Sequence, residues 1–279
     1  MMFQKQLQKV SFKDEILWRE YGGQVAVLSS AITLVSFCLL PSGNWCWRII
    51  CSIVFVAVLA VLFFVDWNRA ARMEKAKLKI NGTNVNIYVG DLFQQEGLKV
   101  IGVNNYIDLV ADDKVVSRKT LHGQFVMRHK GELAEIKSAI IDSNCMILEN
   151  TSEGLDKKSY DYGSCVLYRD YVLTVLTKFD SQNKAYTSIR EYMQFWMTFW
   201  SHIDVLYNSR TINIPIMGAG QTRFHGIVPK KQELLEIALW TLEKSGFSNR
   251  YADRAINFVI YEGDLSEIDF YHIQKRDGK

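Results

Sequence analysis

The chain has 279 residues, of which 48% are hydrophobic and 23% are charged, with 3 prolines, 5 cysteines and a formal net charge of +3. This composition excludes a disordered chain, a collagen-like repeat and a disulfide-stapled secreted fold. The charge is unevenly divided: residues 1–77 carry 9 Lys/Arg against 5 Asp/Glu, whereas residues 78–279 carry 24 against 25. A positive excess confined to one end, beside apolar segments, indicates a membrane surface rather than nucleic acid.

Two charge-free apolar segments, Gly22–Leu40 and Ile49–Val65, are separated by the polar stretch Pro41–Asn44. Each is long enough to cross a bilayer, which takes about 20 helical residues with a range of roughly 17–25. Tryptophans flank both segments, as in the aromatic belts of membrane proteins; they are Trp18, Trp45, Trp47 and Trp67. We therefore predict a two-helix transmembrane hairpin over residues 22–66.

The segments on either side of the hairpin are basic. Residues 1–21 alternate apolar residues with lysines at helical spacing, which predicts an amphipathic segment on the inner leaflet or a short solvated lead-in. Residues 67–77 are predicted to be a basic linker. By the positive-inside rule, cations on both sides of the hairpin place the N- and C-termini in the cytoplasm. Neither span contains an ionisable residue, which disfavours a transporter or a proton pump.

Residues 78–279 alternate short β-rich runs with helical stretches, which is typical of an α/β domain. The predicted strands are Asn84–Val89, Lys99–Val103, Cys165–Arg169, Tyr171–Thr177, Thr211–Ile216 and Asn257–Tyr261. The predicted helices are Glu132–Ile141, Tyr186–Tyr207, Lys231–Lys244 and Leu265–Gln274. The polar stretch Glu149–Gly163 has no periodicity and is predicted to be a surface loop. Trp196 and Trp200, four residues apart in a predicted helix, are expected in the core.

Three loops follow predicted strands, where α/β sheets bind ligands; they are Val89–Phe93, Val103–Asn105 and Pro215–Phe224. In the last loop, Gly218 and Gly220 would let backbone N–H groups approach phosphate oxygens, and Arg223 would add a charge-assisted contact. The pattern is weak by itself, since many Gly-x-Gly turns are merely tight, and neither G-x-G-x-x-G nor GK[ST] is present.

In chain order, these loops resemble those of a macro domain, the ADP-ribose-binding α/β fold. Thr120–Gln124, Leu176–Asp180 and Ile214–Arg223 are similar to macro domains that follow two transmembrane helices in bacterial type II Thoeris antiphage systems. The resemblance implies a three-layer domain with a central mixed sheet over residues 78–279, attached to the bacterial inner membrane by the hairpin.

The resemblance also implies a function. The domain would sense an ADP-ribose derivative, histidine-ADP-ribose, made by a partner TIR-domain enzyme, and would need no separate cofactor. Occupancy would drive self-association of the membrane part, with membrane disruption or growth arrest. A membrane-anchored ADP-ribosyl hydrolase and a non-catalytic membrane tether remain as alternatives.

Family roles transfer to individual positions of this sequence. Asp91 would accept from the adenine amino group beside the Leu92 backbone, and Tyr261 would wall the adenine. Asn104 and Asn105 would line the distal ribose. Phe224 would pack on that ribose. The diphosphate would lie on the loop formed by Gly218, Ala219, Gly220, Gln221, Thr222 and Arg223.

Two departures from the macro pattern favour recognition over turnover. Asn104-Asn105-Tyr106 replaces Asn-Ala-Ala-Asn, and the bulkier, cationic Val115–Gly123 stands in place of a polyglycine run. Within it, Ser117, Arg118 or His122 would contact the group attached to the distal ribose.

Three of these residues also have purely structural interpretations. Asp91 could be a helix N-cap, His122 a surface histidine or a satisfied buried one, and Arg223 the partner of a nearby carboxylate.

Overall fold

The computed structural model describes residues 10–39, 45–143, 147–150, 158–179, 184–247 and 254–276. The chain divides into two compact units. The first comprises Met1–Ala76 and Asp269–Lys279, and the second comprises Lys77–Ile268.

The helices are α1 (Glu15–Leu39), α2 (Trp45–Ala71), α3 (Leu121–Arg128), α4 (Leu133–Asp142), α5 (Ile189–Leu206), α6 (Lys231–Lys244) and α7 (Phe270–Gln274). The strands are β1 (Lys75–Ile80), β2 (Thr83–Val89), β3 (Leu98–Asn104), β4 (Ile147–Asn150), β5 (Lys158–Tyr160), β6 (Cys165–Tyr168), β7 (Tyr171–Phe179), β8 (Ala185–Thr187), β9 (Ile212–Pro215), β10 (Arg223–Phe224) and β11 (Ala255–Ile260). Short 3₁₀ segments cover Leu92–Gln94, Lys130–Glu132 and Glu262–Glu267.

In the first unit, α1 and α2 run antiparallel. The Tyr21 hydroxyl near the start of α1 donates to the Leu59 carbonyl of α2 at 3.0 Å. The Trp18 ring lies 4.8 Å from that of Phe63, centroid to centroid. An Asp14 carboxylate oxygen accepts from the first backbone N–H groups of α1, which is the N-capping arrangement that begins a helix.

Among the described residues, α2 is long and apolar enough to cross a membrane. Its valines at the middle of the predicted second span are largely exposed, as for Val56 at 64%. The first predicted span falls in α1 up to Leu39, and residues 40–44 lie outside the described residues, as do residues 1–9 of the predicted amphipathic segment. The hairpin topology and its orientation stay predictions.

The second unit is built on a mixed sheet with the strand order β1-β2-β11-β9-β3-β7-β8-β10, and β6 also pairs with β7. Strands β2, β11, β9, β3 and β7 are mutually parallel, whereas β6 and β8 run antiparallel to β7. Helices α3 and α4 cover one face, where Phe125 and Ile136 pack with Ile101 of β3. On the opposite face, Phe258 of β11 contacts Trp196 of α5.

Most predicted elements are confirmed. All six predicted strands are present with ends shifted by at most two residues, and the predicted helices at α4 and α6 are found within one residue. Trp196 and Trp200 are buried as predicted, at 0% and 1% exposure. The strands were predicted reliably because β-branched and aromatic residues, which favour strands, recur in all of them.

The predicted linker 67–77 is largely regular structure, because α2 extends to Ala71 and β1 begins at Lys75. The signal for β1 was in the sequence. Alternating residues flank Asn81-Gly82, both of which have positive φ (50° and 79°), the turn that joins two strands of a hairpin. The Asn81 amide also donates to the Leu242 carbonyl at the end of α6 at 3.3 Å.

Three other expectations need correction, and one helix was not predicted. The predicted surface loop Glu149–Gly163 includes β5 and the buried Tyr162 (1% exposed), while residues 151–157 lie outside the described residues. The helix predicted from Tyr186 begins at Ile189, because Ser188 and Glu191 form a capping box. The helix predicted over Leu265–Gln274 is a 3₁₀ segment followed by α7. A helix the prediction missed, α3, is N-capped by the Thr120 side chain.

Candidate functional site

An open cleft of about 1270 Å³ lies where the five parallel strands end. Because those strands point the same way, the loops after them meet at one edge of the sheet. Asp91 follows β2, Asn104 ends β3, Ile216 follows β9 and Tyr261 follows β11, and all four line the cleft. The sequence-predicted loops are therefore brought together.

Of the predicted site residues, twelve line the cleft: Asp91, Leu92, Asn104, Ser117, His122, Gly218, Ala219, Gly220, Gln221, Thr222, Arg223 and Tyr261. The other three, Asn105, Arg118 and Phe224, are not among its lining residues.

The glycine loop, Gly218–Arg223, follows β9 along one side of the cleft. Its Ala219 N–H donates to the Ile216 carbonyl at 3.3 Å. Within the described part of the chain, the N–H groups of Gly220, Gln221 and Thr222 have no protein acceptor. Unused backbone donors in a tight turn form a concavity that suits anions.

The two glycines of this loop differ in why they are needed. Gly218 has a φ of 79°, and a Cβ there would lie 3.2 Å from the Phe224 ring. Gly220 has no such φ, and a Cβ there would meet nothing within 4 Å. Gly218 is thus required by the fold, whereas Gly220 keeps the space of the cleft open beside the unused N–H groups.

Arg223 ends the glycine loop with an exposed guanidinium. It lies 5.9 Å from the centroid of the Tyr186 ring, a cation–π distance. The described residues contain no carboxylate that forms a salt bridge with it. The structural interpretation of Arg223, pairing with a nearby acid, is therefore wrong for the described residues, and its charge is available to an anion.

Opposite the glycine loop lies the aspartate loop, Asp112–Thr120. Asp112 Oδ1 accepts from the backbone N–H groups of Lys114 (2.9 Å) and Val115 (2.8 Å), which lowers the pKa of the Asp112 carboxyl. Asp113 Oδ1 accepts from the Arg118 N–H at 2.8 Å. The loop therefore satisfies several of its own backbone donors.

The aspartate loop contacts both the glycine loop and α3. The Gln221 amide donates to the Ser117 hydroxyl at 3.3 Å, joining the two loops across the cleft. A Cβ on Gly123 would lie only 2.1 Å from the Ser117 carbonyl oxygen. Glycine at that position lets the first turn of α3 pack directly on the loop backbone.

The position of Asp91 is compatible with both of its interpretations, a helix N-cap and a ligand-binding carboxylate. Its Oδ1 accepts from the Phe93 N–H at 2.9 Å, so it caps the 3₁₀ segment after β2 as the structural interpretation expected. The side chain is nevertheless exposed and lines the cleft. The cap fixes the carboxylate at the adenine end predicted for it, with the buried Leu92 behind.

The side chains of the consecutive residues Asn104 and Asn105 have different hydrogen-bond partners and lie in different parts of the domain. Asn104 lines the cleft, but its amide donates to Asp108 Oδ2 at 3.0 Å and its oxygen accepts from the Asp108 N–H at 3.2 Å. Asn105 instead joins β5 to β7, donating to the Ser159 hydroxyl at 3.0 Å and accepting from the Phe179 N–H at 3.0 Å. The predicted ribose contact of Asn105 is therefore not supported by its position.

Arg118 and Phe224 support the cleft without lining it. The Arg118 Nε donates to the Ala111 carbonyl at 3.0 Å and lies 3.5 Å from Asp113 Oδ2, so it braces the aspartate loop. The Phe224 ring packs edge-on against Tyr192 at 5.8 Å, beneath Gly218. Both side chains thus have structural contacts, and the ligand contacts predicted for them stay predictions.

His122 lies in the first turn of α3 and is 6% exposed. Burial lowers the pKa of His122 from its ordinary value near 6.5 to about 4, against the smaller raising effects of its hydrogen bond to the Asp108 backbone and of the Asp108 charge. Its Nε2 has no hydrogen-bond partner among the described residues. The ring is thus buried and neutral at pH 7, with an unused hydrogen-bonding atom.

Several charged residues of the cleft were missed by the sequence analysis. On the aspartate-loop side these are Lys114 and Lys119, and Lys184 precedes β8. Beyond the last described strand, β11, Glu262 and Asp264 follow Tyr261. The predicted cationic loop contained a signal for the first two, whereas nothing local marked Lys184 or the acidic pair. No cluster of three or more metal-ligating side chains occurs in the described ranges.

Comparison with known proteins identifies the family. The family model for the macro domain of Thoeris protein ThsA matches residues 85–261. Thoeris protein ThsA from Bacillus amyloliquefaciens strain Y2 is 30% identical over 259 residues, which cover 90% of this chain and 86% of that protein. The chain belongs to the ThsA family of Thoeris proteins. The matched ThsA region runs from β2 to β11, and these two strands carry Asp91 and Tyr261 at their ends.

Solved macrodomains from Oceanobacillus iheyensis are also similar. A mutant macrodomain is 16% identical, with a TM-score of 0.41, and the match covers 74% of this chain and 95% of that one. A macrodomain described as containing ADP is 15% identical, with a TM-score of 0.38, and the match covers 72% of this chain and 94% of that one. The ThsA family match confirms the predicted macro-type α/β fold with its central mixed sheet.

Proposed function

We propose that the cleft binds an ADP-ribose-type nucleotide as the signal of an antiviral membrane effector. The observation that carries the proposal is the glycine loop. Three backbone N–H groups that have no acceptor among the described residues lie beside Arg223, whose charge no described carboxylate neutralises. A diphosphate would supply the missing acceptors and the counter-charge together.

A diphosphate held by the glycine loop determines where the other parts of the nucleotide would lie. The adenine would lie toward Asp91 and Tyr261, whose ring is 71% exposed and available for contact. The distal ribose and its substituent would lie toward Ser117 and His122 on the aspartate-loop side. The neutral His122 ring would add no charge on this side of the cleft.

We propose recognition rather than turnover. The Asn104 amide is engaged by Asp108, so it is not free to position a water. His122, with its pKa near 4, is a weak base at pH 7, and burial keeps its Nε2 from solvent. These features favour a binding site that holds its ligand intact.

The signal that we propose is histidine-ADP-ribose supplied by a TIR-domain enzyme during infection, acting on a protein of the bacterial inner membrane. A single helix pair cannot enclose an aqueous path, because too few helices shield water from lipid. Membrane disruption or growth arrest would therefore require self-association in the bilayer. Ligand binding would drive it only through different affinities for the resting and assembled states.

The test is calorimetry on the full chain in lipid nanodiscs, titrated with ADP-ribose and with histidine-ADP-ribose. We expect binding, and a loss of about tenfold or more in affinity for Arg223→Ala, since a charge-assisted contact of about 1.5–3 kcal/mol is removed. Asp91→Ala should weaken binding as well. Glu243→Gln, which changes an exposed carboxylate outside the cleft, is the control.

The same experiment separates the alternatives. Release of free ADP-ribose during the titration would indicate a hydrolase. If neither compound produces heat, the proposal is wrong. A non-catalytic membrane tether that binds a protein partner is then the favoured hypothesis.

A further inference from the structure

Helix α7 belongs to the same compact unit as α1 and α2. The Tyr271 hydroxyl donates to Glu20 Oε2 of α1 at 2.9 Å, and Lys275 forms an ion pair with the same carboxylate. His272 Nε2 lies 2.5 Å from Asp14 Oδ2. We call this set of contacts the clasp.

The clasp is more than a surface ion pair. Tyr271 is 5% exposed and packs in an apolar cluster with Leu17 of α1 and Ala70 of α2. Burial acts to raise the pKa of the Glu20 carboxyl, but hydrogen bonds from Lys275 and Tyr271 outweigh it and hold the pKa below its usual range. Glu20 is thus ionised at neutral pH and accepts from both partners.

The chain that enters the clasp comes directly from the cleft. Tyr261, Glu262 and Asp264 line the cleft, and Asp269 begins the part of the chain that belongs to the helix-pair unit. Lys231 of α6 fixes the 3₁₀ segment Glu262–Glu267 in place. Its Nζ donates to Asp264 Oδ1 and to Glu267 Oε1, each at 2.7 Å.

This connection has little slack. Only Ile268 separates Glu267 from Asp269, and the two Cα–Cα steps span at most about 7 Å even when fully extended. Asp269 is itself the N-cap of α7, with its Oδ1 accepting from the His272 N–H at 3.0 Å. The chain also crosses between the units at Ala76–Lys77, but β1 contributes no lining residue to the cleft.

We infer that the segment Tyr261–Lys275 couples the cleft to α1 and α2. In the unliganded protein, the clasp holds the start of α1 and the end of α2 in their present arrangement. The inference rests on the proposed function. A nucleotide seated against Tyr261 shifts the Lys231-anchored segment, and the short connection passes this shift to α7. The coupling exists only if the ligand prefers the arrangement in which the clasp is released.

The inference makes an unusual thermodynamic prediction. Weakening the clasp raises the fraction of protein that is competent to bind, so the cleft should bind more tightly although no cleft residue has changed. We expect Tyr271→Phe and Glu20→Gln each to lower the Kd for histidine-ADP-ribose by about three- to tenfold. Both substitutions preserve side-chain size and leave the apolar cluster filled.

A matched control exists in the other unit. The Tyr168 hydroxyl donates to Glu132 Oε2 (3.0 Å) and Glu135 Oε2 (3.1 Å), beside Arg169, and Tyr168 is as buried as Tyr271. Tyr168→Phe removes an equivalent hydroxyl outside the cleft and the clasp. Its Kd should stay within about twofold of the wild-type value.

The experiment is calorimetry on the full chain in nanodiscs, with ADP-ribose and histidine-ADP-ribose as probes, and hydrogen exchange of the α7 amides. Tighter binding by both clasp variants, with faster α7 exchange in the liganded wild type, supports the coupling. Unchanged or weaker binding by the clasp variants overturns it while leaving the proposed function intact. If the wild type binds neither probe, the proposed function fails and the coupling fails with it.

Discussion

The two loops that face each other across the cleft use their backbones in opposite ways. Among the described residues, the glycine loop leaves three N–H groups without a protein acceptor, whereas the aspartate loop uses several of its own donors at Asp112 and Asp113. A loop with spare donors gains hydrogen bonds when an anion arrives, whereas a loop that already uses most of its donors gains fewer but is already ordered. We therefore expect the glycine loop to supply affinity, and the aspartate loop to act as a fixed wall of the cleft that selects ligands by shape.

We expect the largest effect of a substitution, on both stability and binding, where the aspartate loop packs against α3. In Gly123→Ala, the new Cβ would lie 2.1 Å from the Ser117 carbonyl oxygen and 2.8 Å from the Arg118 Cα, both backbone atoms that no rotamer change can move. We expect a loss of about 3 kcal/mol in the free energy of unfolding, together with loss of nucleotide binding. Thermal unfolding followed by the fluorescence of the buried Trp196 and Trp200 measures the first.

The control for this substitution is Gly131→Ala. A Cβ there meets nothing within 4 Å, and the position lies outside the cleft. Equal destabilisation by the two substitutions would show that the close approach at Gly123 does not determine how α3 packs on the aspartate loop.

The second effect is a pH dependence carried by His122. In the unfolded chain this imidazole takes up its proton near pH 6.5, but in the folded protein burial delays uptake to about pH 4. Between these values the unfolded state binds more protons, so the stability falls as the pH is lowered. The loss reaches about 3 kcal/mol at pH 4 and does not grow below it.

The measurement compares the wild type with His122→Leu between pH 7 and pH 4. The variant should lose less stability on acidification, because it cannot bind the proton in the unfolded state. Parallel curves for the two proteins would mean that His122 is not the group responsible.

The sequence was most informative where structure depends on local pattern. Apolar runs located the buried parallel strands, and glycine and aspartate after their ends located the cleft, because parallel strands bring such positions together. The pattern also contained signals that were not used. Asn81-Gly82 marked the β1–β2 hairpin, and Ser188 with Glu191 marked the start of α5.

The misassigned site residues depend on information that no local pattern carries. Asn104 and Asn105 are equivalent in sequence, but the β3–β7 register shifts between Val103 and Asn104, and partners on β5 and β7 capture Asn105. The contact of Tyr271 with Glu20 joins residues 251 positions apart. Contacts of this range are set by the tertiary fold.

The last prediction divides the glycine loop itself. Gly218→Ala forces a Cβ into a left-handed backbone at φ 79° and toward Phe224, so we expect a loss of about 1–2 kcal/mol in stability. Gly220→Ala meets no neighbour, and its stability should change by less than about 0.5 kcal/mol. Its methyl group would instead occupy ligand space beside the free N–H groups, which should weaken nucleotide binding by about tenfold at unchanged Tm. Tm and Kd measured on both variants check the division, and a Gly220→Ala protein that binds as the wild type does would place the diphosphate elsewhere in the cleft.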